Sequence, residues 1–395
     1  MIWSLPQTNK KSILIGLEFC SGFFKEQRKE DMKNIVLLMI LMVVCIGCSK
    51  KVIITDPLAS VIATMETAPV PSNDDAADDP CIWIHPTDPA LSTIIGTHKK
   101  GTIGLIVYDL EGNELSHVAE GRMNNVDIRY NFPLGDETVA LVTGGNRDDN
   151  SISIYKVDVE TRSLVNVAAR KLPIGLDDGI YGSCMYYSVK TGKFYAIVND
   201  KTGLIEQWEL FDNGEGKVDG KLVRSLHVDS QPEGCVADDI LADLYVGEED
   251  KGVWKFAAEP EAGVEKTLVD DLNNHFVEDV EGLSIYYADR ETGYLIVSSQ
   301  GNNTYCVYTR EGNNDWVGTF QVVDGETIDG SLETDGLDVT NFGLGTAFPN
   351  GMFVAQDGFN DKGNQNFKCV PWDAIAKGIS PELKISTIWD PRSIK

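Results

Sequence analysis

Basic residues are scarce in this chain. Its 395 residues include 34 Lys and Arg against 61 Asp and Glu, a formal net charge of −27. A surface this acidic repels nucleic acid and anionic lipid, so neither is expected as a general partner. Histidine is scarcer, with five in all (His85, His98, His117, His227 and His275), and none stands in an Arg-His-Gly context that marks a phosphohistidine nucleophile. There is no C-x₅-R loop, no Gly-rich Walker loop and no G-x-S-x-G elbow, so the common routes to a covalent intermediate are poorly represented. Beyond residue 48 the cysteines are Cys81, Cys184, Cys235, Cys306 and Cys369, odd in number and without a C-x-x-C pair. Neither a zinc site nor a disulfide scaffold is indicated; buried thiols are the first reading, and one bridge stays open for an exported protein.

One long apolar run is present. Ile35 to Ile46 follows Met32-Lys33-Asn34 and ends at Gly47-Cys48-Ser49. It is too short to span a bilayer and has the proportions of a secretory leader. The Gly-Cys step resembles a lipoprotein cleavage site with Cys48 as the lipidated residue, although Cys45 three positions earlier is atypical. The expected organisation is an over-extended start over residues 1–31, a lipoprotein-type signal peptide over 32–47, a tether over 48–71 and one domain over 72–395. The chain is therefore expected to be exported, facing periplasm or exterior, and held to a bacterial membrane only through lipid at Cys48.

What is abundant is glycine, 37 residues against 15 prolines, with aromatics spread along the length. Hydrophobic periodicity stays close to two, as in Ser151–Val157, Leu204–Leu210 and Trp316–Val323, and Gly, Asn and Asp clusters punctuate the runs. An apolar strand closing on an aromatic and a charge recurs about every fifty residues, the scale of one four-stranded propeller blade. The pattern predicts an all-β, six-bladed β-propeller with four antiparallel strands per blade. Only Asp373–Lys377 reads as a helix.

The acids gather between strands: Asp74-Asp75-Ala76-Ala77-Asp78-Asp79, Gln231-Pro232-Glu233-Gly234, Glu248-Glu249-Asp250, Glu278-Asp279-Val280-Glu281-Gly282, Asp329, Glu333-Thr334-Asp335-Gly336 and Gln356-Asp357-Gly358. Loops on one face of a propeller point to a common axis, so these carboxylates are expected to converge. Converging carboxylates repel unless a cation neutralises them, and calcium suits oxygen ligands delivered by separate loops. Each acid taken singly reads equally well as a solvated turn. The few cations follow predicted strand ends: Lys99-Lys100, Arg147 and Lys201. Such cations suit a polyanion once metal has offset the acids. With nucleophile motifs lacking, metal-activated water is the chemistry that remains.

At these residues the chain resembles the calcium-dependent β-propeller phytase family of bacilli. The resemblance runs from about Asp74 to Pro391 and rests on Asp75-Ala76-Ala77-Asp78-Asp79-Pro80, Asn124-Asn125-Val126-Asp127-Ile128-Arg129-Tyr130, Glu233-Gly234-Cys235-Val236-Ala237-Asp238-Asp239, Thr334-Asp335-Gly336-Leu337-Asp338 and Asn364-Gln365-Asn366-Phe367-Lys368. The glycine-rich segments Gly101-Thr102-Ile103-Gly104 and Gly144-Gly145 depart from the bacillus pattern. The resemblance implies a 3-phytase that hydrolyses phytate, free or as its calcium salt, with several calcium ions, structural and catalytic. It implies ligation by Asp78, Glu233, Glu249, Asp279, Glu281 and Asp329, with Asp335 and Asp357 as further, structural ligands. It implies phosphate contacts from Lys99, Lys100, Arg147, Tyr181 and Lys201, with Glu233, Glu249, Asp279 and Tyr181 nearest the chemistry, and a monomer. A lactonase-type calcium propeller and a non-catalytic surface-binding propeller are the alternatives.

Overall fold

The computed structural model describes residues 58–394 apart from 173, 177 and 178. The expected leader and Cys48 lie outside the described residues, among which no helix is long and apolar enough to cross a membrane.

Alternating apolar runs separated by tight polar turns have one efficient way to bury both faces, which is to stack twisted antiparallel sheets around an axis. The first complete sheet runs through β3 (Ala77–Trp83), β4 (Thr93–His98), β5 (Leu105–Tyr108) and β6 (Glu114–Val118). The second follows with β7 (Met123–Leu134), β8 (Glu137–Asn146), β9 (Ser151–Asp158) and β10 (Ser163–Asn166). The third contains β11 (Ser183–Ser188), β12 (Lys193–Asn199), β13 (Leu204–Asp212) and β14 (Val218–His227), and the fourth β15 (Pro232–Asp238), β16 (Asp243–Glu248), β17 (Gly252–Ala257) and β18 (Lys266–Asp271). The fifth is β19 (Val280–Tyr287), β20 (Gly293–Ser299), β21 (Thr304–Thr309) and β22 (Trp316–Val323), and the sixth begins with β23 (Leu337–Thr340), β24 (Met352–Asp357) and β25 (Asn366–Pro371). The innermost strands contact one another in sequence, and β23 contacts β3, so the six sheets close into a ring.

Closure uses residues expected to be tether. β1 (Ala59–Ile62) pairs in parallel with β22, and β2 (Met65–Glu66) is the outermost strand of the sixth sheet, paired with β25. The sixth blade ends one strand short within its own run of sequence, and the start of the chain supplies the missing edge. Four strands per blade and the helix stand as expected, the latter as α1 (Trp372–Gly378). The face of α1 that carries Trp372, Ile375 and Ala376 is buried, and Trp372 stacks on Tyr286 at 3.9 Å.

The inner strands share a feature that decides where side chains point. In four blades one extra residue is inserted near the strand start: Asp78-Asp79, Asn124-Asn125, Glu233-Gly234 and Glu281-Gly282 each stand opposite a single partner residue. Such bulges turn a side chain out of the alternation and toward the axis. Tyr181-Gly182 and Asp335-Gly336 occupy the matching places ahead of β11 and β23. The second residue of each pair lies against the next blade. A Cβ at Gly234 would sit 2.4 Å from the Glu281 carbonyl oxygen, and one at Gly336 2.4 Å from the Asp79 Cα. Glycine is therefore required for the blades to approach.

The other end of the channel is walled by the C-terminal residues. Trp389 stacks on Tyr287 at 5.5 Å and its carbonyl accepts from Asn341 Nδ2 at 2.9 Å. Arg392 donates to the His85 carbonyl at 2.7 Å.

Gly336→Ala tests the closure between last and first blades. Overpacking against backbone that cannot yield costs about 1–3 kcal/mol, so the denaturant midpoint falls while the unfolding slope stays unchanged.

Candidate metal centre and anion pocket

All six inner strands start at the same end of the channel, so residues at or just ahead of those starts form a ring: Asp78, Asn124, Tyr181, Glu233, Glu281 and Asp335. Asp78, Glu233 and Glu281 are buried, at 1%, 4% and 4% exposure. Glu249 joins them from the turn after β16. That turn is clamped between blades, because the Glu249 amide donates to the Gln231 carbonyl at 2.9 Å and its own carbonyl accepts from Val280 at 3.1 Å. One carboxylate oxygen each from Glu233, Glu249 and Glu281 lies within 4.8 Å of the others. Asp279 stands just ahead of β19, half-buried, with its carbonyl bound to the Gln300 amide at 2.9 Å.

Crowding shifts their protonation. Glu249 is pushed up to about 7 by burial, with Glu233 and Asp279 adding to it. Burial and the neighbouring acids raise Asp78 and Glu281 well above the carboxylate range, and Asp279 is raised by burial and by Glu278. Asp335 is raised to about 6 by burial, against the pull of Lys99. The Lys99 ammonium enters this ring, 2.7 Å from Asp75 and Asp335 and 3.0 Å from Asp78. Burial alone would lower Lys99, but Asp78 and Asp335 raise it well above its usual value. Asp78 moves up through burial and its acidic neighbours although Lys99 pulls it down, and Lys99 moves up because one ammonium faces several acids.

The donor set fits a hard cation. It is made of carboxylate oxygens from different loops, and Asp78 Oδ1 and Glu281 Oε2 are buried without a hydrogen-bond partner, while Asp78 Oδ2 has only the Lys99 ammonium at 3.0 Å. Carboxyl oxygens buried without donors are costly to ionise unless a cation meets them.

Beside the acids lies a cationic pocket. Arg147 follows β8 and Lys201 follows β12, and both converge on Tyr181, with the Lys201 Nζ 4.0 Å and the Arg147 Cζ 5.6 Å from its ring centroid. The Tyr181 hydroxyl is held protonated by burial and by the Glu233 carboxylate beside it. Lys100 stays at the rim, 3.1 Å from the Asn73 carbonyl and 3.5 Å from Asp74.

Two expected ligands lie elsewhere. Asp329 and Asp357 face Lys368 at 2.5 and 3.3 Å, together with Glu66 at 2.7 Å, in a separate cluster that joins β2 to the rest of the sixth blade. Glu66 drew no notice in the sequence because it lies in the presumed tether. Asn124 also escaped assignment. The repeated acid-glycine steps Glu233-Gly234, Glu281-Gly282 and Asp335-Gly336 were the signal for the ring, and Asn124-Asn125 is its variant. Cys184 and Cys235, on adjacent inner strands, are paired with Cα atoms 5.7 Å apart, whereas Cys81, Cys306 and Cys369 are free and buried.

A group whose folded-state pKa is raised stabilises the fold while protonated and ceases to do so as pH climbs through that pKa. Chelator-treated protein should thus lose thermal stability between about pH 4.5 and pH 7, the window set by Glu249 and Asp335. Glu249→Gln should flatten part of that slope in a calorimetric pH series.

The sequence profile described as Phytase matches residues 31–395. A curated protein named 3-phytase, from Bacillus subtilis (strain 168), is 47% identical over 343 residues, covering 85% of this chain and 89% of its own length. A match over most of the chain, together with the ring of acids and the adjoining cationic pocket, places the chain in the phytase family.

Proposed function

We propose that this member of the phytase family removes phosphate from phytate with calcium held by the acid ring. The observation that carries the reading is the meeting of the Glu233, Glu249 and Glu281 oxygens within 4.8 Å of one another, next to Tyr181, Arg147 and Lys201. Asp78, Glu233, Glu249, Asp279 and Glu281 are the residues that hold the metal, with Asp335 shared between metal and Lys99. Calcium bound there supplies positive charge that offsets the phosphoryl oxygens and renders a nearby water acidic enough to act as nucleophile.

The chain's own groups do the remaining work. Arg147 and Lys201 bind and orient the phosphate, and the protonated Tyr181 hydroxyl donates to it. Lys99, anchored among the acids, supports a phosphate at the metal edge, and Lys100 at the rim meets a second phosphate of the same ring. Binding two phosphates of one molecule fixes the scissile one against the metal side, which is how positioning lowers the barrier. The excess of acids over bases otherwise repels such a substrate, so the metal also governs its entry. The Asp329, Asp357 and Glu66 cluster serves stability, and the leader exports the chain and anchors it through lipid at Cys48.

Glu249→Gln and Asp279→Asn are expected to abolish phosphate release from phytate while circular dichroism stays native. Wild-type turnover in thorough chelation refutes the calcium reading. Calcium at a hundredfold excess over its Kd stabilises the fold by about 2.7 kcal/mol, seen as a concentration-dependent rise in Tm. Arg147→Ala is expected to raise KM more than it lowers kcat if the arginine binds phosphate equally in ground and transition states.

A further inference from the structure

Five positions of the ring carry an acid or a phenol, and the sixth, Asn124, carries a neutral amide that is fully buried. Its two ends face groups of opposite charge. Asn124 Nδ2 donates to Glu233 Oε1 at 2.5 Å, and Asn124 Oδ1 accepts from Arg147 Nη1 at 2.9 Å. A carboxylate only accepts and a guanidinium only donates, so this amide orientation alone satisfies both neighbours. A weaker contact from Nδ2 to Asn125 Oδ1 at 3.5 Å leaves that orientation unchanged. A carboxylate at this position meets Arg147 but repels Glu233, and an ammonium does the reverse.

Arg147 and Glu233 therefore lie one amide apart. Opposite charges so close, with Glu233 and Asn124 buried and Arg147 half-buried, attract more strongly than in water. Their direct pairing takes the guanidinium from the phosphate pocket and one carboxylate from the metal ring at the same time. We propose that Asn124 is a positioning residue that keeps Arg147 and Glu233 from pairing, leaving the guanidinium for phosphate and the carboxylate for metal. This rests on the site assignment given above. The bulge makes the role available, because it turns Asn124 inward while Val126, two residues on, donates its amide to Asp79 Oδ2 at 3.1 Å and anchors the strand to the first blade.

The test is a double-mutant cycle on the full chain, read by calorimetric titration of calcium into chelator-stripped protein and of inorganic phosphate into calcium-loaded protein. Asn124→Leu keeps the volume and removes both hydrogen bonds, and is expected to weaken calcium and phosphate binding about tenfold each, the scale of a lost charge-assisted contact. Adding Arg147→Ala to it is expected to return calcium affinity to that of Arg147→Ala alone, since the competing cation is gone. Additive losses in the double variant, the outcome of a purely structural role, overturn the proposal. Asn124→Asp, isosteric with the native residue, gives a second readout: phosphate binding falls about tenfold as Arg147 pairs with it, while calcium binding is kept or tightened. Loss of both in that variant also overturns the proposal. Unchanged calcium affinity in Glu233→Gln overturns the site assignment beneath it instead.

Discussion

Inner strands that all run the same way deliver their first residues to one end of the channel, and in this protein most of those residues are acids. Nothing local in the sequence makes Asp78, Glu233, Glu281 and Asp335 neighbours; ring closure does, with bulges at the starts of β3, β15 and β19 turning the first three side chains inward. The cost is electrostatic. Burying like charges together disfavours ionisation, which is why Glu249 and Asp335 sit near 7 and 6. A fold that accepts this penalty at one place keeps a high local affinity for cations there, because the binding of a cation relieves repulsion that the backbone would otherwise have to bear.

For the proposed phosphate-releasing site, the same place must also admit anions. The structure resolves the conflict by dividing the ring into two sides. Glu233, Glu249 and Glu281 converge on one, and Arg147 and Lys201 meet over Tyr181 on the other. Glu233 and Asn124 lie on the seam. A salt bridge across it satisfies both charges and leaves neither usable, so the seam is built from neutral donors and acceptors. Asn199 has a similar place in the backbone: its side-chain amide donates to the Glu233 carbonyl at 2.9 Å and its carbonyl oxygen accepts from Gly182 at 2.9 Å, fixing blade three to blade four just below the ring.

Much of this was legible beforehand. A period of two, turn clusters and a fifty-residue recurrence lead to six four-stranded blades, because each is a local consequence of alternating burial. The acid clusters and the four cations were legible as unusual features at strand ends. What stayed hidden depends on ring closure. Residues 59–62 and 65–66 look like linker because their partners, β22 and β25, lie over 250 residues away. Asp329 and Asp357 look like further ring members because composition carries no information on which side of a blade a loop falls. The Cys184–Cys235 pair was left open, since two cysteines 51 residues apart meet only if consecutive inner strands align. Lys99 reads as a cation beyond a strand end and, by resemblance, as a phosphate contact, and only the structure shows its ammonium among three acids.

The cluster around Lys368 uses the same chemistry to a different end. Glu66 comes from the strand that closes the ring, Lys368 from β25, Asp357 from the end of β24 and Asp329 from the segment leading to β23. Here the cation is covalently part of the chain and fully buried, with no exposure at its side chain. Lys368 is raised, against the effect of burial, by Asp329 and Glu66; despite burial, Asp329 is lowered by Lys368 and Glu66 by Lys362 together with Lys368, whereas burial raises Asp357. Asp329 and Glu66 are thus held ionised by lysines, whereas in the ring Asp78, Glu249, Glu281 and Asp335 are raised. The contrast separates the two acid clusters on physical grounds. Where lysines meet the carboxylates, they join β2 to the rest of the last blade; Glu233, Glu249 and Glu281 meet one another without a lysine or arginine in salt-bridge distance among the described residues, and that shortfall in positive charge is one a mobile cation can fill.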